Sequence, residues 1–184
     1  MHRGHPRIAV LTALVVLLGA SGGCATDKSA DKSTGKSAGS AAAPTSFTIV
    51  PDDYHVPYAG TAEDGRRFFL SEELFDADRS YVGLFLWRAD GAFDEVRVDE
   101  VDRPDGLPPG QAAPARADDL VTTRLAELGD YTLEPIEVTP FTTEVDGVTF
   151  GWEVTEYDGE FSINVAPGDF IAYYAPWDGI DYDT

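Results

Sequence analysis

The chain has 184 residues, 33 of them Asp or Glu against 13 Lys or Arg, for a formal net charge of −20. A field of that sign repels nucleic-acid phosphates and anionic polymers, which argues against them as partners and favours cationic groups or divalent ions. One cysteine leaves no disulfide within the chain, yet the length suffices for one domain with its own core.

In chain order, Met1 to Arg7 carries Arg3 and Arg7 and no acid, Ile8 to Leu18 is apolar apart from Thr12, and the small residues from Gly19 to Gly23 lead to Cys24. A basic start, an apolar run and a small-residue zone form the layout of an export signal. The run falls short of the roughly 20 residues a spanning helix needs. The segment resembles a bacterial lipoprotein signal, with the triplet Ser21-Gly22-Gly23 before the cysteine, although Ser21 stands where an aliphatic residue is usual. That resemblance implies removal of residues 1–23, acylation of Cys24 (palmitate-type chains) and anchorage on the extracytoplasmic face of the cell membrane. The alternative is ordinary cleavage near Ala20 to Gly22, giving a secreted protein with a free thiol.

Residues 24–45 then form the lipidated N-terminus and a tether of Ala, Ser, Gly, Lys, Thr and Asp with no large apolar side chain. Such a stretch buries too little surface to offset ordering entropy, so a flexible linker is expected. Its Lys28, Lys32 and Lys36 suit an anionic membrane surface.

Residues 46–184 read as a single acidic globular domain, with eight arginines as its only basic residues against 31 acids. Phe47 to Val50 predicts a strand. Tyr58 to Glu63 and Arg66 to Leu70 flank Asp64-Gly65, a hairpin dipeptide. Ser71 to Phe75 suggests a short helical turn. Tyr81 to Trp87 is an apolar run suited to a central strand covered on both faces, and Phe93 to Val101 alternates with a phase slip before Val96, as at a bulge. Four prolines between Asp102 and Pro114 predict a surface loop.

Ala115 to Leu128 has Leu120, Val121, Leu125 and Leu128 at helical spacing, with Gly129 just beyond, and predicts the one main helix. Tyr131 to Val138, Phe141 to Val145, Val148 to Val154, Phe161 to Val165 and Phe170 to Tyr174 read as strands, followed by a tail. The pattern predicts an α+β fold: a mostly antiparallel sheet of hairpins with the helix packed on one face. The pattern Pro167-Gly168-Asp169, Ala172-Tyr173-Tyr174 and Pro176-Trp177-Asp178 is similar to that of uncharacterised bacterial domains, and this resemblance implies no activity.

Chemistry is sparse. Beyond Cys24 the mature chain keeps only His55, so neither a zinc site nor a serine-histidine nucleophile is expected, and His55 reads as a polar loop residue. Glu72-Glu73 and Glu153-Glu156 are carboxylate pairs among many. Asp178, Asp181 and Asp183 are candidate ligands for calcium, the one metal the composition suits. Tyr174, Trp177 and Trp152 are candidates for an aromatic platform that takes a sugar or cationic group. The expected function is therefore a membrane-anchored, non-catalytic binding domain whose partner is an unknown protein, cationic group or glycan. The alternatives are a glycan hydrolase acting through paired carboxylates and a calcium-stabilised envelope module.

Overall fold

A computed structural model describes residues 42–101, 114–168, 170–180 and 182–184. The signal, Cys24, most of the tether and the expected proline-rich loop lie outside the described residues. The first part of the domain holds β1 (Phe47–Ile49), β2 (Tyr58–Thr61), β3 (Arg67–Asp76), β4 (Arg79–Trp87), β5 (Phe93–Val101) and helix α1 (Pro114–Ala126). The second holds β6 (Thr132–Leu133), β7 (Ile136–Val138), β8 (Phe141–Val145), β9 (Val148–Tyr157), β10 (Glu160–Ala166), β11 (Ala172–Tyr173) and β12 (Tyr182–Asp183). All pairings are antiparallel, in two five-stranded sheets ordered β5-β4-β3-β2-β6 and β12-β11-β10-β9-β8, with β1 and β7 pairing separately. The fold is α+β, as expected, but the sheets are not built from hairpins alone. β6 returns from beyond the helix to pair with β2.

Side-chain alternation explains the layering. In β4, Val82, Leu84 and Leu86 join one buried cluster with Ala117, Val121 and Leu128 of the helical segment, while Tyr81, Phe85 and Trp87 join another with Phe150, Trp152, Ile163, Val165 and Tyr173 of the second sheet. The first sheet is therefore the middle layer, covered by the second sheet on one face and by α1 on the other. Every residue from Tyr81 to Trp87 is buried, which is why the run lacks polar positions. Each large side chain so buried contributes roughly 1.5–3 kcal/mol.

Turns follow their residues. Asp146-Gly147 and Asp158-Gly159 have positive φ at both positions, as tight two-residue hairpins require. At Asp64-Gly65 only the glycine does, because the connection from Thr61 to Arg67 is longer and closes through Ala62 N–H to Arg66 O and Gly65 N–H to Ala62 O. The expected slip in β5 is present: Leu86 pairs with Glu95 but Trp87 with Phe93, leaving Asp94 as the extra residue.

Three expectations are corrected. Ser71 to Phe75 is not a helical turn but part of β3, where Ser71 pairs with Gly83 and Leu74 with Tyr81, so that Glu72 and Glu73 together oppose Val82 in a bulge. Tyr131 to Val138 is two short strands separated by Glu134-Pro135, since proline has no N–H for a ladder. The C-terminal tail contributes β12 and lies across β1, with Thr48 N–H donating to Trp177 O at 2.9 Å.

Candidate functional site

The bulge in β3 creates the most differentiated surface feature among the described residues. A regular strand would send Glu72 and Glu73 to opposite faces, but the extra residue lets both line one cleft beside α1. Tyr54, His55, Pro57, Tyr58, Leu70, Ser71 and Val121 complete it.

His55 arrives from the β1–β2 connection. Asp52 shapes that connection by accepting the N–H groups of Tyr54 at 2.8 Å and Val56 at 3.0 Å, and Asp52 N–H donates to Val56 O at 2.9 Å. Burial pushes the Asp52 carboxyl up, but the Tyr182 hydroxyl and the backbone N–H groups of Val56, Tyr54 and His55 outweigh it and hold the group below its usual range. The phenol of Tyr182, partly buried and bonded to that carboxylate, is pushed up to about 12.

The pairing of β2 with β3 ends at Tyr58 and Leu70, and His55 reaches Glu73 from the bend that precedes β2. His55 Nδ1 lies 2.7 Å from Glu73 Oε2, and because a carboxylate only accepts, the ring donates there. Glu73 N–H donates to the buried Ser71 Oγ at 3.0 Å, which locks the bulge from within. Glu72 stands in a different field: burial, then Asp118 on α1, then Glu73 raise its carboxyl above the ordinary 4.5. The cleft thus joins a carboxylate oriented by histidine, a second carboxylate in an unfavourable field, and tyrosine and aliphatic walls. It can receive a cation with an apolar stem.

The residues nominated from sequence are dispersed. Trp152 has no exposed surface and packs in the inter-sheet core against Phe47, Phe69 and Tyr173, so it is removed from the aromatic platform. Tyr174 is 44% exposed, while Trp177 is partly buried against that core. They meet through Trp177 N–H to Tyr174 O at 3.0 Å, and Trp177 adopts φ of 70°, a conformation costly for a bulky side chain. Trp177 therefore closes an end of the core rather than standing as a flat stacking surface.

No known protein family, curated protein or solved structure matches the chain. The site therefore rests on its own geometry.

For calcium, Asp178 Oδ1 accepts from Ile180 N–H at 3.1 Å and Asp183 Oδ1 from Thr184 N–H at 3.0 Å, while Asp181 and Cys24 lie outside the described residues. Among the described residues no three His, Cys, Asp or Glu side chains converge in a metal-binding group. Also among them, no helix is long and apolar enough to cross a membrane.

Sequence reasoning set His55 aside and ranked Glu72-Glu73 with other pairs. No local signal would have found the contact: the only histidine of the domain sits in a bend before β2, outside the paired residues of the hairpin, and meets Glu73 through tertiary folding.

Proposed function

We propose that this protein is a lipid-anchored, extracytoplasmic binding domain whose bulge cleft receives a cationic group carried by a partner. One observation carries the reading: Glu72, on the cleft wall, is raised by its own surroundings, and a bound cation would relieve that field. Tyr54 and Tyr58 supply aromatic surface beside it, and a guanidinium satisfies both features by pairing with carboxylate and stacking on tyrosine. The net charge of −20 draws such partners in.

Titrating the full-length chain with Nα-acetyl-arginine methylamide, followed by calorimetry, tests this. Saturable binding at pH 7 that weakens at least fivefold in Glu72→Gln and in Glu73→Gln is expected. Binding indifferent to both substitutions, or no binding, would end the proposal. Release of reducing ends from cell-wall glycan that disappears in Glu72→Gln would replace it with the hydrolase reading, in which the raised carboxyl serves as the acid.

A further inference from the structure

A second cleft lies where edge strand β5 of the first sheet approaches edge strand β8 of the second. Val98 and Glu100 form one lip, Val145 and Asp146 the other, and Arg79, Tyr81 and Phe150 complete it. Tyr81 is 4% exposed and its ring stands edge-on to Phe150 at 5.2 Å, yet among the described residues its hydroxyl has no hydrogen-bond partner. Leaving such a group unpaired costs stability, whereas phenylalanine would fill the same space without that cost. The hydroxyl therefore weakens the fold where it stands, and it belongs to a residue that lines an open cleft.

The surroundings select what could pair with it. Arg79 sits 5.7 Å from the Tyr81 ring centroid and is already bonded to Asp76. Glu100 and Asp146 are both exposed and carry negative charge on opposite lips. An anion seeking the hydroxyl would face two carboxylates with the nearby arginine engaged. An ammonium meets the reverse: the phenolic oxygen accepts a hydrogen bond, the lip carboxylates accept others, and Val98, Val145 and Phe150 line the path of an aliphatic stem.

We propose that this cleft binds a lysine side chain of a partner polypeptide, with the ammonium donating to the Tyr81 hydroxyl oxygen between Glu100 and Asp146. The argument is independent of the Glu72 cleft, since the two share no residue.

The test titrates the full-length chain with Nα-acetyl-lysine methylamide and, as a control, with the isosteric norleucine derivative, which keeps the stem and lacks the ammonium. Saturable binding of the lysine compound alone is expected, weakened tenfold or more in Tyr81→Phe and at least threefold in Asp146→Asn, and unchanged in Glu156→Gln, an exposed position that lines neither cleft. Tyr81→Phe keeps the ring and should fold with an undiminished melting temperature, so loss of binding in it is not loss of structure. Equal binding of both compounds, binding indifferent to Tyr81→Phe, no saturable binding, or a sensitivity confined to Glu72→Gln would each overturn the proposal.

Discussion

Glu72 shows at the scale of one residue how surroundings set a carboxyl's proton affinity. Its carboxyl lies above the ordinary 4.5 because burial, Asp118 and Glu73 all disfavour the charge. The folded chain therefore holds that proton more tightly than the unfolded chain. The sign follows from linkage: stability falls as pH rises from 4.5 through the raised value, and the loss is complete above it. Glu72→Gln should accordingly raise the melting temperature at pH 7, and the gain should vanish about one unit below 4.5. Scanning calorimetry of both chains at the two pH values checks this. A lower melting temperature for the variant at pH 7 would mean that the carboxylate is held by a favourable partner. Asp52 and Glu95 behave oppositely. Asp52 is held low against burial by its Tyr182 and backbone bonds, and Glu95 chiefly by Arg97, so both support the fold until pH falls through their lowered values. Sequence could supply the identity of Glu72 but not its field, because Asp118 stands on a different element. His55 and Glu73, 18 positions apart, meet only where the β1–β2 connection folds against the β3 bulge.

Among the elements, β3 and β4 connect the fold to the site. An unbroken apolar run made β4 legible as a strand covered on both faces, and helical spacing with Gly129 as terminator made α1 legible. The bulge was not legible. Leu70 and Leu74 are both buried and four residues apart, a spacing that a helix also shows, but the extra residue of the bulge sends them to opposite faces of the sheet, Leu70 towards α1 and Leu74 into the inter-sheet core. The two-residue strands β6, β11 and β12 are set by tertiary pairing and leave little periodicity to read. Gly83 marks the bulge from the partner strand: it pairs with Ser71, and a Cβ there would lie 2.5 Å from Leu74 Cδ1. Gly83→Ala should therefore push Leu74 out of place at a cost of about 1–3 kcal/mol. The displacement travels into the bulge, so arginine-derivative binding should weaken as well. Urea unfolding and the titration measure the two effects, and an unchanged midpoint would show that Leu74 repacks freely.

For the whole molecule, charge and attachment act together. Arg66, Arg97 and Arg124 are bound into one network with Asp64, Asp94, Glu95, Asp99 and Glu127, which ties the β2–β3 turn and β5 to α1. Arg79 and Arg88 pair with Asp76 and Asp90. With eight arginines against 31 acids in residues 46–184, the remaining carboxylates leave the domain strongly anionic. Such a domain is repelled by an anionic bilayer, and Lys28, Lys32 and Lys36 offset that by about 1 kcal/mol each at most. Electrostatics alone therefore does not hold the protein at a membrane, and the proposed location depends on acyl chains at Cys24. Each buried methylene contributes about 0.8 kcal/mol, and two or more chains give an anchor that one chain does not. Two outcomes follow for fractionated cells expressing the full-length chain. The wild type should stay in the membrane pellet through a 1 M salt wash, since screening leaves methylene burial intact, on the order of a 3 Å Debye length notwithstanding. Cys24→Ser should move to the soluble fraction, with its melting temperature unchanged because the substitution lies before the folded domain. A Cys24→Ser chain retained in the pellet to the same extent would sink the anchor reading, and a wild type released by salt would assign the attachment to the lysines instead.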